Sequence, residues 1–528
     1  MLERIRLGSN RAVLLRKQEP KACGQSVAAL DSCFRRNTVF PSCSPCDSPS
    51  LDTNGAWRST PEMRAPPRAP FPDMTAAPIL SVAEMRAAEQ AMFDAGVDPF
   101  ALMKRAGEGA AEVIARIGHD RETLVLCGPG NNGGDGFVIA RALRAMGVPV
   151  RVAAMGESRT ESSQRARAEW GGPVEPLLEA APAAQLVDAL FGIGLARGLA
   201  PEIAAALGRL VEAARVSIAI DVPSGIDSDA AIALSPVPHF THCLALGAWK
   251  PAHCLLPARA LADQHHLVEI GIPPPADCVR ALARPHIAAP APDAHKYTRG
   301  LVAIVAGDMP GAAALAAQAA AHAGAGYVRL LIERLVADIG HAIVQSHALD
   351  FSRARAALVG PGLGRDETAR QRLAVTLQAG VPVVADADAL WLLAQDGPGA
   401  LPPPAIVTPH AGEFAHRFGE GAGNKIEHTR AAARAGGSVV VHKGADTVIA
   451  APDGRCVVAP PASAWLSTAG TGDVLAGLCA ARLAVSGDPF RAACEAVWLH
   501  GEAARRAGAA FSADDLVPHI PAAIASAL

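Results

Sequence analysis

From residue 74 onward, short apolar runs alternate with segments in which apolar residues recur every three to four positions. The short runs, such as TLVLC at 123–127, are bounded by charged residues and glycine, as buried parallel strands are. The first helical segment opens on Ser81 with Glu84 three residues later, a capping box in sequence, and a glycine at 96 follows it. The pattern therefore predicts alternating strands and helices, and parallel sheets covered by helices on both faces.

The predicted strands fall into two groups separated by a proline-rich stretch. They are expected at 123–127, 150–154, 185–190, 216–220, and then at 301–305, 328–332, 356–359, 381–385, 406–407 and 439–442. Six prolines between 273 and 292 favour an extended linker over packed structure. We therefore expect two three-layer α/β domains, at 74–275 and 293–528, joined by a linker at 276–292.

Composition narrows the class of protein. The chain has 528 residues, of which 50% are hydrophobic and 19% are charged, so it can bury sizeable cores. The formal net charge of −3 gives no basic footprint for nucleic acid, and no apolar run approaches the length that spans a bilayer. Neither nucleic acid nor membrane is an expected partner.

Residues 1–73 differ from the rest. They hold 11 Lys and Arg against 7 Asp and Glu, a charge of +4 that leaves −7 for the remainder, and they hold nine prolines. We expect a disordered leader, or a reading frame that begins too far upstream, with translation starting at Met74. Cys43 and Cys46 have zinc-ligand spacing, but no second pair follows, so no zinc site is expected. The other seven cysteines are scattered among apolar residues, as in reduced cytoplasmic proteins.

A glycine loop follows the first strand of the first domain. The sequence GPGNNGGDG at 128–136 opens a helix, where backbone N–H groups can receive an anion such as phosphate. A tight turn without a ligand is the plain alternative, although two amides and a carboxylate exceed what a turn needs. Two further strands end in Asp188 and Asp221, and ligands of open α/β sheets lie at the carboxyl ends of strands. The three loops are therefore expected to share one crevice.

The motifs GPGNNGGDG, DALFGIGLARG and DVPSGID, in this order, resemble the epimerase domain of NAD(P)H-hydrate repair enzymes over about residues 76–272. The resemblance implies a Rossmann-like fold and binding of hydrated NADH or NADPH. The implied hydrate-binding residues are Asn131, Asn132, Gly133, Gly134, Asp135, Gly192, Ile193, Gly194, Leu195, Ala196, Arg197, Gly198 and Asp221. It also implies a potassium ion on Asn132, Asp188 and Ser224, whose hard oxygen donors suit such a cation.

The implied reaction interchanges the R and S forms at C6 of the hydrated nicotinamide ring. An aminal carbon can lose and regain its hydroxyl through an iminium, so one carboxyl group acting as acid and then base is the minimal machinery. Asp188 is the carboxylate that we select for this role from the sequence.

The second domain carries another glycine motif. The sequence TAGTGDVLAG at 468–477 precedes an apolar helix, and Asp473 lies where N–H groups point at an anion. Helix capping alone could explain the acid, but the surrounding glycines leave room for a phosphate beside a base, as in ribokinase-like phosphotransferases. No P-loop motif occurs. Four more polar loops end strands at 360–364, 386–390, 408–413 and 443–447, so His410 is expected to contact the ligand.

These motifs resemble the dehydratase domain of the same repair family over about residues 293–525, with a ribokinase-like fold. The resemblance implies ADP-dependent dehydration of the S-hydrate, with magnesium expected alongside ADP. The implied ADP-binding residues are Lys443, Gly444, Ala445, Asp446, Thr447 and Gly472. The implied hydrate-binding residues are Ala312, Gly362, His410 and Asp473, of which Asp473 would take the hydroxyl proton.

Three alternatives remain open at this point. One is a ribokinase-like small-molecule kinase fused to a nucleotide-binding sensor domain. Another is an N-terminal half that only binds nucleotides or a partner protein, and the third is a hydride-transferring Rossmann enzyme, which rests on GPGNNG alone. We expect a cytoplasmic bifunctional isomerase and lyase that forms a homo-oligomer.

Overall fold

The computed structural model describes residues 77–118, 121–395, 402–419, 421 and 423–528. The predicted leader at 1–73, with Cys43 and Cys46, lies outside the described residues. Among the described residues, no helix combines the length and the apolar character needed to cross a bilayer.

The helices and strands of the first part of the chain follow the predicted alternation. In chain order they are β1 (Pro78–Ile79), α1 (Val82–Asp94), α2 (Pro99–Gly118), β2 (Thr123–Cys127), α3 (Asn131–Ala145), β3 (Val150–Ala154), α4 (Glu161–Trp170), β4 (Glu175–Pro176), β5 (Gln185–Ala189), α5 (Pro201–Ala213), β6 (Val216–Ile220), β7 (Ile226–Asp227), β8 (Ile232–Ala233), β9 (Phe240–Leu246), α6 (Pro251–Cys254) and β10 (Ala262–Val268). The capping box at α1 forms: Ser81 Oγ accepts from the Glu84 N–H at 3.2 Å, and the Glu84 carboxylate accepts from the Ser81 N–H at 2.8 Å.

The second part continues in the same way. Its elements are β11 (Val279–Ala281), β12 (Leu301–Val305), α7 (Pro310–His322), β13 (Tyr327–Leu331), β14 (Ile343–Ser346), β15 (Ala356–Val359), α8 (Glu367–Leu377), β16 (Val383–Ala385), α9 (Asp388–Gln395), β17 (Ile406–Val407), α10 (Ala411–Phe418), α11 (Lys425–Gly436), β18 (Val439–His442), β19 (Val448–Ala450), β20 (Cys456–Val458), α12 (Thr471–Ser486), α13 (Pro489–Ala507), α14 (Ala513–Leu516) and α15 (Ile520–Ala527). Strand limits differ from the predicted ones by at most two residues, as expected where strand ends fray.

Two sheets organise these elements. The first is parallel throughout, in the order β10-β9-β6-β5-β2-β3-β4. The second has the order β1-β11-β20-β19-β18-β17-β16-β15-β12-β13-β14 and is parallel from β18 to β14. The chain leaves β2 toward β3 on one side and returns to β5 on the other, and it leaves β12 in the same way. Each sheet therefore has a topological switch point, where a crevice opens at the strand ends.

Alternate residues of the central strands enter separate cores. Val125 and Cys127 of β2 belong to one apolar cluster, whereas Leu124 and Leu126 belong to another. The side chains of β12 divide between two clusters in the same manner. Since successive side chains point to opposite faces of a strand, both faces of each sheet are covered. The predicted α/β class, with helices on both faces of each sheet, is confirmed.

The proline-rich segment differs from its prediction. The sequence predicts an unpacked linker at 276–292, but β11 lies within it, pairing with β20 on one edge and with β1 on the other. Val279, Leu282 and Ile287 are buried. These apolar residues pack on the second sheet, and the six prolines lie before and after β11 rather than within it.

Candidate functional site

A cavity of about 420 Å³ lies at the switch point of the first sheet. It is lined by eight residues of the predicted hydrate-binding set, which are Asn131, Asn132, Asp135, Gly192, Ile193, Gly194, Leu195 and Asp221. The other five of that set, Gly133, Gly134, Ala196, Arg197 and Gly198, are not among the lining residues. The structure thus brings the three predicted loops together, although not every residue of them faces the cavity.

The glycines of the first loop permit close backbone crossings. A Cβ at Gly128 would lie 1.7 Å from the Leu190 carbonyl oxygen, and a Cβ at Gly133 would lie 1.8 Å from the Gly128 carbonyl oxygen. A side chain at Gly128 would therefore push the glycine loop away from Leu190, which follows β5, and a side chain at Gly133 would push apart the two ends of the loop itself. The same geometry aims the N-terminus of α3 at the cavity, where N–H groups and the helix dipole favour an anion.

Asp188, the acid and base that we select from the sequence, is not among the residues that line the cavity. Its carboxylate is fully buried and accepts three hydrogen bonds: from Ser224 Oγ at 2.8 Å, the Ser224 N–H at 3.0 Å and the Leu190 N–H at 3.1 Å. Burial raises the pKa of Asp188 to about 6, although these hydrogen bonds oppose the rise. Both carboxylate oxygens of Asp188 are therefore occupied by groups of the protein.

Asp221 lines the cavity, and its carboxylate is paired with a lysine that the sequence analysis did not single out. Lys250 Nζ lies 2.5 Å from Asp221 Oδ1 and 2.6 Å from the Leu246 carbonyl oxygen, with its side chain fully buried. His253 Nε2 donates to the Asp221 carbonyl oxygen at 2.5 Å. A lysine inside the apolar stretch LALGAWKPA was the available signal, since a buried lysine needs a partner.

Glu89 is a second carboxyl group that the sequence did not single out. It lines the same cavity from α1, together with Arg86. Burial, and then the charge of Asp221, raise the pKa of Glu89. Burial, Asp221 and Glu89 raise the pKa of Asp135 well above its ordinary value. Three carboxyl groups and one lysine therefore share a poorly solvated wall, an arrangement that retains protons and can deliver them.

The predicted potassium ligands are only partly assembled by direct contacts. Ser224 and Asp188 are hydrogen-bonded to each other. Asn132 Oδ1 instead lies against the backbone of Gly192, 3.2 Å from the point that a Cβ on this glycine would occupy. Asn132 Nδ2 is buried without a hydrogen-bond partner. The buried Asp188 carboxylate has no cationic partner among the described residues.

A larger cavity, of about 1400 Å³, lies at the carboxyl ends of the second sheet. Six predicted residues line it, namely His410, Lys443, Gly444, Ala445, Thr447 and Gly472, whereas Asp446 does not. The carboxylate of Asp446 is occupied elsewhere, since Oδ1 accepts from Lys425 Nζ at 2.6 Å and Oδ2 accepts from the Leu256 N–H at 3.0 Å. These bonds fix the loop at 443–447, and the contact of Asp446 with the nucleotide stays a prediction.

Asp473 lies in the first turn of α12, after Gly470 at a φ of +90°. Burial and the neighbouring Asp386 raise the pKa of Asp473 to about 6, and Lys443 opposes that rise. Lys443 Nζ lies 2.8 Å from Asp386 Oδ1 and 3.9 Å from Glu413 Oε2. Although burial opposes its charge, these carboxylates hold the pKa of Lys443 above its ordinary value. A charged lysine and a carboxyl group that titrates near neutrality thus stand together at a helix N-terminus.

The remaining predicted residues are shaped by local structure. His410 is the N-cap of α10, and its Nδ1 accepts from the Gly412 N–H at 3.0 Å, so only the opposite side of its exposed ring can meet a ligand. The carbonyl oxygen of Gly362, a residue with a φ of +60°, accepts a hydrogen bond from the Met309 N–H at 3.0 Å. Ala312 lies three residues after Met309, in the first turn of α7. None of Gly362, Ala312 and Asp473 is among the residues that line the large cavity, although Asp473 directly follows Gly472, which lines it.

The comparisons with known proteins agree with this two-site arrangement. A family model described as NAD(P)H-hydrate dehydratase matches residues 302–525, and one described as YjeF-related protein N-terminus matches residues 99–252. The Bifunctional NAD(P)H-hydrate repair enzyme Nnr of Mycobacterium leprae is 33% identical over 475 residues, covering 84% of this chain and 99% of the relative. The protein of the same name from Escherichia coli is 31% identical over 456 residues, covering 79% and 87%.

A solved structure of an ADP/ATP-dependent NAD(P)H-hydrate dehydratase from Bacillus subtilis, co-crystallised with ATP and Mg²⁺, is 30% identical. It covers 46% of this chain and 95% of that chain, with a TM-score of 0.42.

Two α/β domains, each with a pocket at the carboxyl ends of its strands, define a two-site enzyme. This chain belongs to the family of bifunctional NAD(P)H-hydrate repair enzymes, with an epimerase domain before a dehydratase domain. The family and the bifunctional enzyme class predicted from the sequence are confirmed.

Proposed function

We propose that the 420 Å³ cavity binds the hydrated nicotinamide ring and interconverts its R and S forms with Asp221 as acid and base. The observation that carries this proposal is that Asp221 is the carboxylate that both faces the cavity and is tied to a buried lysine. In this reaction a protonated carboxyl group gives its proton to the C6 hydroxyl, and the ring nitrogen lone pair expels water as the iminium forms. Water then adds to the other face of C6 and returns a proton to the carboxylate.

The neighbours of Asp221 support this role. Burial, together with the charge of Asp221, raises the pKa values of Glu89 and Asp135, so both carboxyl groups retain protons to higher pH than they would in water. Lys250 stabilises the ionised form of Asp221 after the proton leaves. The loops at Asn131–Asp135 and Gly192–Leu195 would hold the rest of the dinucleotide, since α3 presents its N-terminus to a pyrophosphate.

The side-chain oxygens of Asn132, Asp188 and Ser224 suit potassium. Asp188 is a buried carboxylate without a cationic partner among the described residues, and Ser224 Oγ and Asn132 Oδ1 add neutral oxygen donors. These are hard ligands suited to a hard cation. Asn132, Asp188 and Ser224 would hold the ion, which supplies the positive charge that a buried carboxylate lacks. Asp188 then orders Ser224 and the loop after β5 rather than meeting the hydrate.

We propose that the second cavity binds ADP and the S-hydrate. Asp473 would take the C6 hydroxyl proton as that oxygen attacks the terminal phosphorus of ADP, which releases AMP. Elimination of phosphate, with loss of a proton from C5, then restores the C5–C6 double bond and yields NAD(P)H. The N–H groups around Gly472 would stabilise the charge on the transferred phosphoryl group. Gly444, Ala445 and Thr447 would contact the nucleotide, and Ala312, Gly362 and His410 the hydrate.

Magnesium would enter with the nucleotide. Among the described residues, no group of three or more His, Cys, Asp or Glu side chains could hold a metal ion. Magnesium commonly binds through phosphates, waters and one or two carboxylates, so this does not oppose the proposal. When bound, it would neutralise phosphate charge.

The assay that tests both sites follows the near-ultraviolet absorbance of reduced nicotinamide after ADP is added to an R and S hydrate mixture. We expect full recovery from the intact chain, recovery of the S fraction at the enzymatic rate from an epimerase variant, and none from a dehydratase variant. A stable phosphorylated product would instead support the kinase fused to a sensor domain, and comparing ADP with ATP would identify the phosphoryl donor.

Two further proposals concern the setting of the enzyme. All seven cysteines of the described residues are unpaired, which supports a reducing compartment such as the cytoplasm. A homo-oligomer remains a proposal from the frequency of symmetric assemblies, and light scattering of the purified chain tests it.

A further inference from the structure

The wall of the second cavity is not built by the dehydratase domain alone. Leu256, Arg259, Ala260 and Ala262 belong to the segment between α6 and the first residue of β10, in the epimerase domain, and they line the cavity together with Lys443, Gly444 and Thr447. A residue contributed by the first domain can therefore reach a ligand of the second.

Hydrogen bonds fix this segment against the loop at 443–447. The Leu256 N–H donates to Asp446 Oδ2 at 3.0 Å, while Lys425 Nζ holds the other oxygen of Asp446 at 2.6 Å. One residue before Lys425, Asn424 Nδ2 donates to the carbonyl oxygen of Asp229 at 2.8 Å, which is a second bond between the domains. The two domains thus meet at a defined position beside the cavity.

Charge singles out Arg259 among the cations of the cavity. Of the Lys and Arg side chains that line it, Lys443 is paired with Asp386 at 2.8 Å and Arg505 with Glu502 at 2.6 Å. Arg259 donates from a terminal nitrogen to the His253 carbonyl oxygen at 2.8 Å and has no carboxylate within ion-pair distance among the described residues. Burial lowers the pKa of Arg259, so its charge lacks full solvation and gains from an anion.

We propose that Arg259 of the epimerase domain binds the phosphate groups of the nucleotide in the dehydratase site. The guanidinium has four N–H donors left after its bond to His253, and its planar fork matches phosphate oxygens. The ligand class is a nucleoside diphosphate. Lys443 offsets only part of its negative charge, because Asp386 already neutralises this lysine. This inference rests on the proposed nucleotide site.

The test measures ADP affinity by calorimetry, with magnesium, in the full chain. We expect R259A to weaken ADP binding by about 10- to 100-fold, the range for a lost charge-assisted hydrogen bond, and to leave adenosine binding unchanged. R259K keeps a charge without the fork and should fall between R259A and the unaltered chain. The matched control is R209A, because Arg209 also donates to a single carbonyl oxygen, that of Ala180 at 3.1 Å, and lines neither cavity.

Epimerase activity monitors the fold of the first domain, since His253 also contacts Asp221. If R259A loses epimerase activity, ADP affinity is measured in R259Q instead. The glutamine keeps an N–H donor for the His253 carbonyl oxygen and removes the positive charge. Equal ADP affinity in the folded variant and the unaltered chain would overturn the inference alone. An unaltered chain that binds no ADP would instead overturn the nucleotide site on which the inference rests.

Discussion

The Lys250 ammonium group and the Asp221 carboxylate form a buried ion pair at the epimerase cavity, with 2.5 Å between Nζ and Oδ1. The backbone of Asp221 has a φ of +65°, a strained conformation for a residue other than glycine. His253 holds the Asp221 carbonyl oxygen, so both the backbone and the side chain of this residue are fixed by contacts. A strained acid whose charge is held by a buried lysine is typical of a catalytic position.

The first prediction concerns Asp221→Asn. We expect the enzymatic exchange of R and S hydrates to fall by about 10²- to 10⁴-fold, the usual contribution of a general acid or base. Dehydration of pure S-hydrate should be unchanged, because the other site is intact. Chiral separation of the hydrates over time measures the exchange. Asp263→Asn, an exposed carboxylate of β10, is the control, and a variant of Asp221 that exchanges the hydrates normally would refute the assignment.

A second prediction links potassium to Asp188. Because its folded-state pKa of about 6 lies above the ordinary value, the folded protein binds this proton more tightly than the unfolded chain does. The stabilisation is complete at acid pH and is lost as the pH rises through about 6, a change of about 3 kcal/mol in the free energy of unfolding. Potassium should offset this loss above pH ~6 by supplying a counter-charge.

Denaturant unfolding in potassium chloride and in choline chloride, at equal ionic strength, measures this difference across the pH range. Asp188→Asn should abolish the potassium effect and flatten the slope, whereas Asp263→Asn should preserve both. A potassium effect of equal size in Asp188→Asn would place the ion elsewhere.

A third prediction concerns Asp473. As a base it must be ionised, so kcat/KM for dehydration should decline as the pH falls below about 6. Asp473→Asn should lose about 10²- to 10⁴-fold in this rate and still bind ADP, because Lys443 and the glycine N–H groups remain. Stopped-flow recovery of reduced nicotinamide gives the rate and calorimetry the affinity. Asp514→Asn, exposed in α14, is the control, and unaltered dehydration by the Asp473 variant would exclude the role of base.

The glycine loop gives a fourth prediction. Gly128→Ala and Gly133→Ala would each drive a Cβ into a backbone carbonyl, so both should destabilise the chain by at least about 1–3 kcal/mol and abolish epimerase activity. Gly130→Ala is the matched variant in the same loop, because nothing lies within 4 Å of its Cβ and its φ of −97° suits alanine. Thermal unfolding compares the three proteins, and equal stability would mean that the loop relaxes around the added methyl group.

Much of the fold could be predicted because the signals were local. The apolar run at 123–127 and the capping box at Ser81 each specify an element within a few residues, and both form where expected. The segment at 276–292 could not be predicted in this way, since its pairing with β20 joins residues that are more than 170 positions apart. Proline content describes local stiffness and says nothing about a distant edge that accepts a strand.

The site followed the same division. The glycine loops and the acidic strand ends were visible in the sequence, because strand topology sends them to one edge. The choice between Asp188 and Asp221 was not visible in the sequence, since both residues lie at the ends of buried strands. Only the tertiary structure shows that Asp188 bonds to Ser224 in the interior and that Asp221 lines the cavity.

The sequence by itself determined two α/β domains, their glycine motifs and the family, because periodicity and motif spacing act over short stretches of chain. The tertiary structure alone decided which carboxylates line the first cavity, that Lys250 pairs with Asp221 there, that Asp446 fixes a loop, and that Arg259 lines the other domain's cavity. The physical reason is that desolvation and charge pairing depend on which side chains the fold brings within a few ångströms of one another, whatever their separation along the chain.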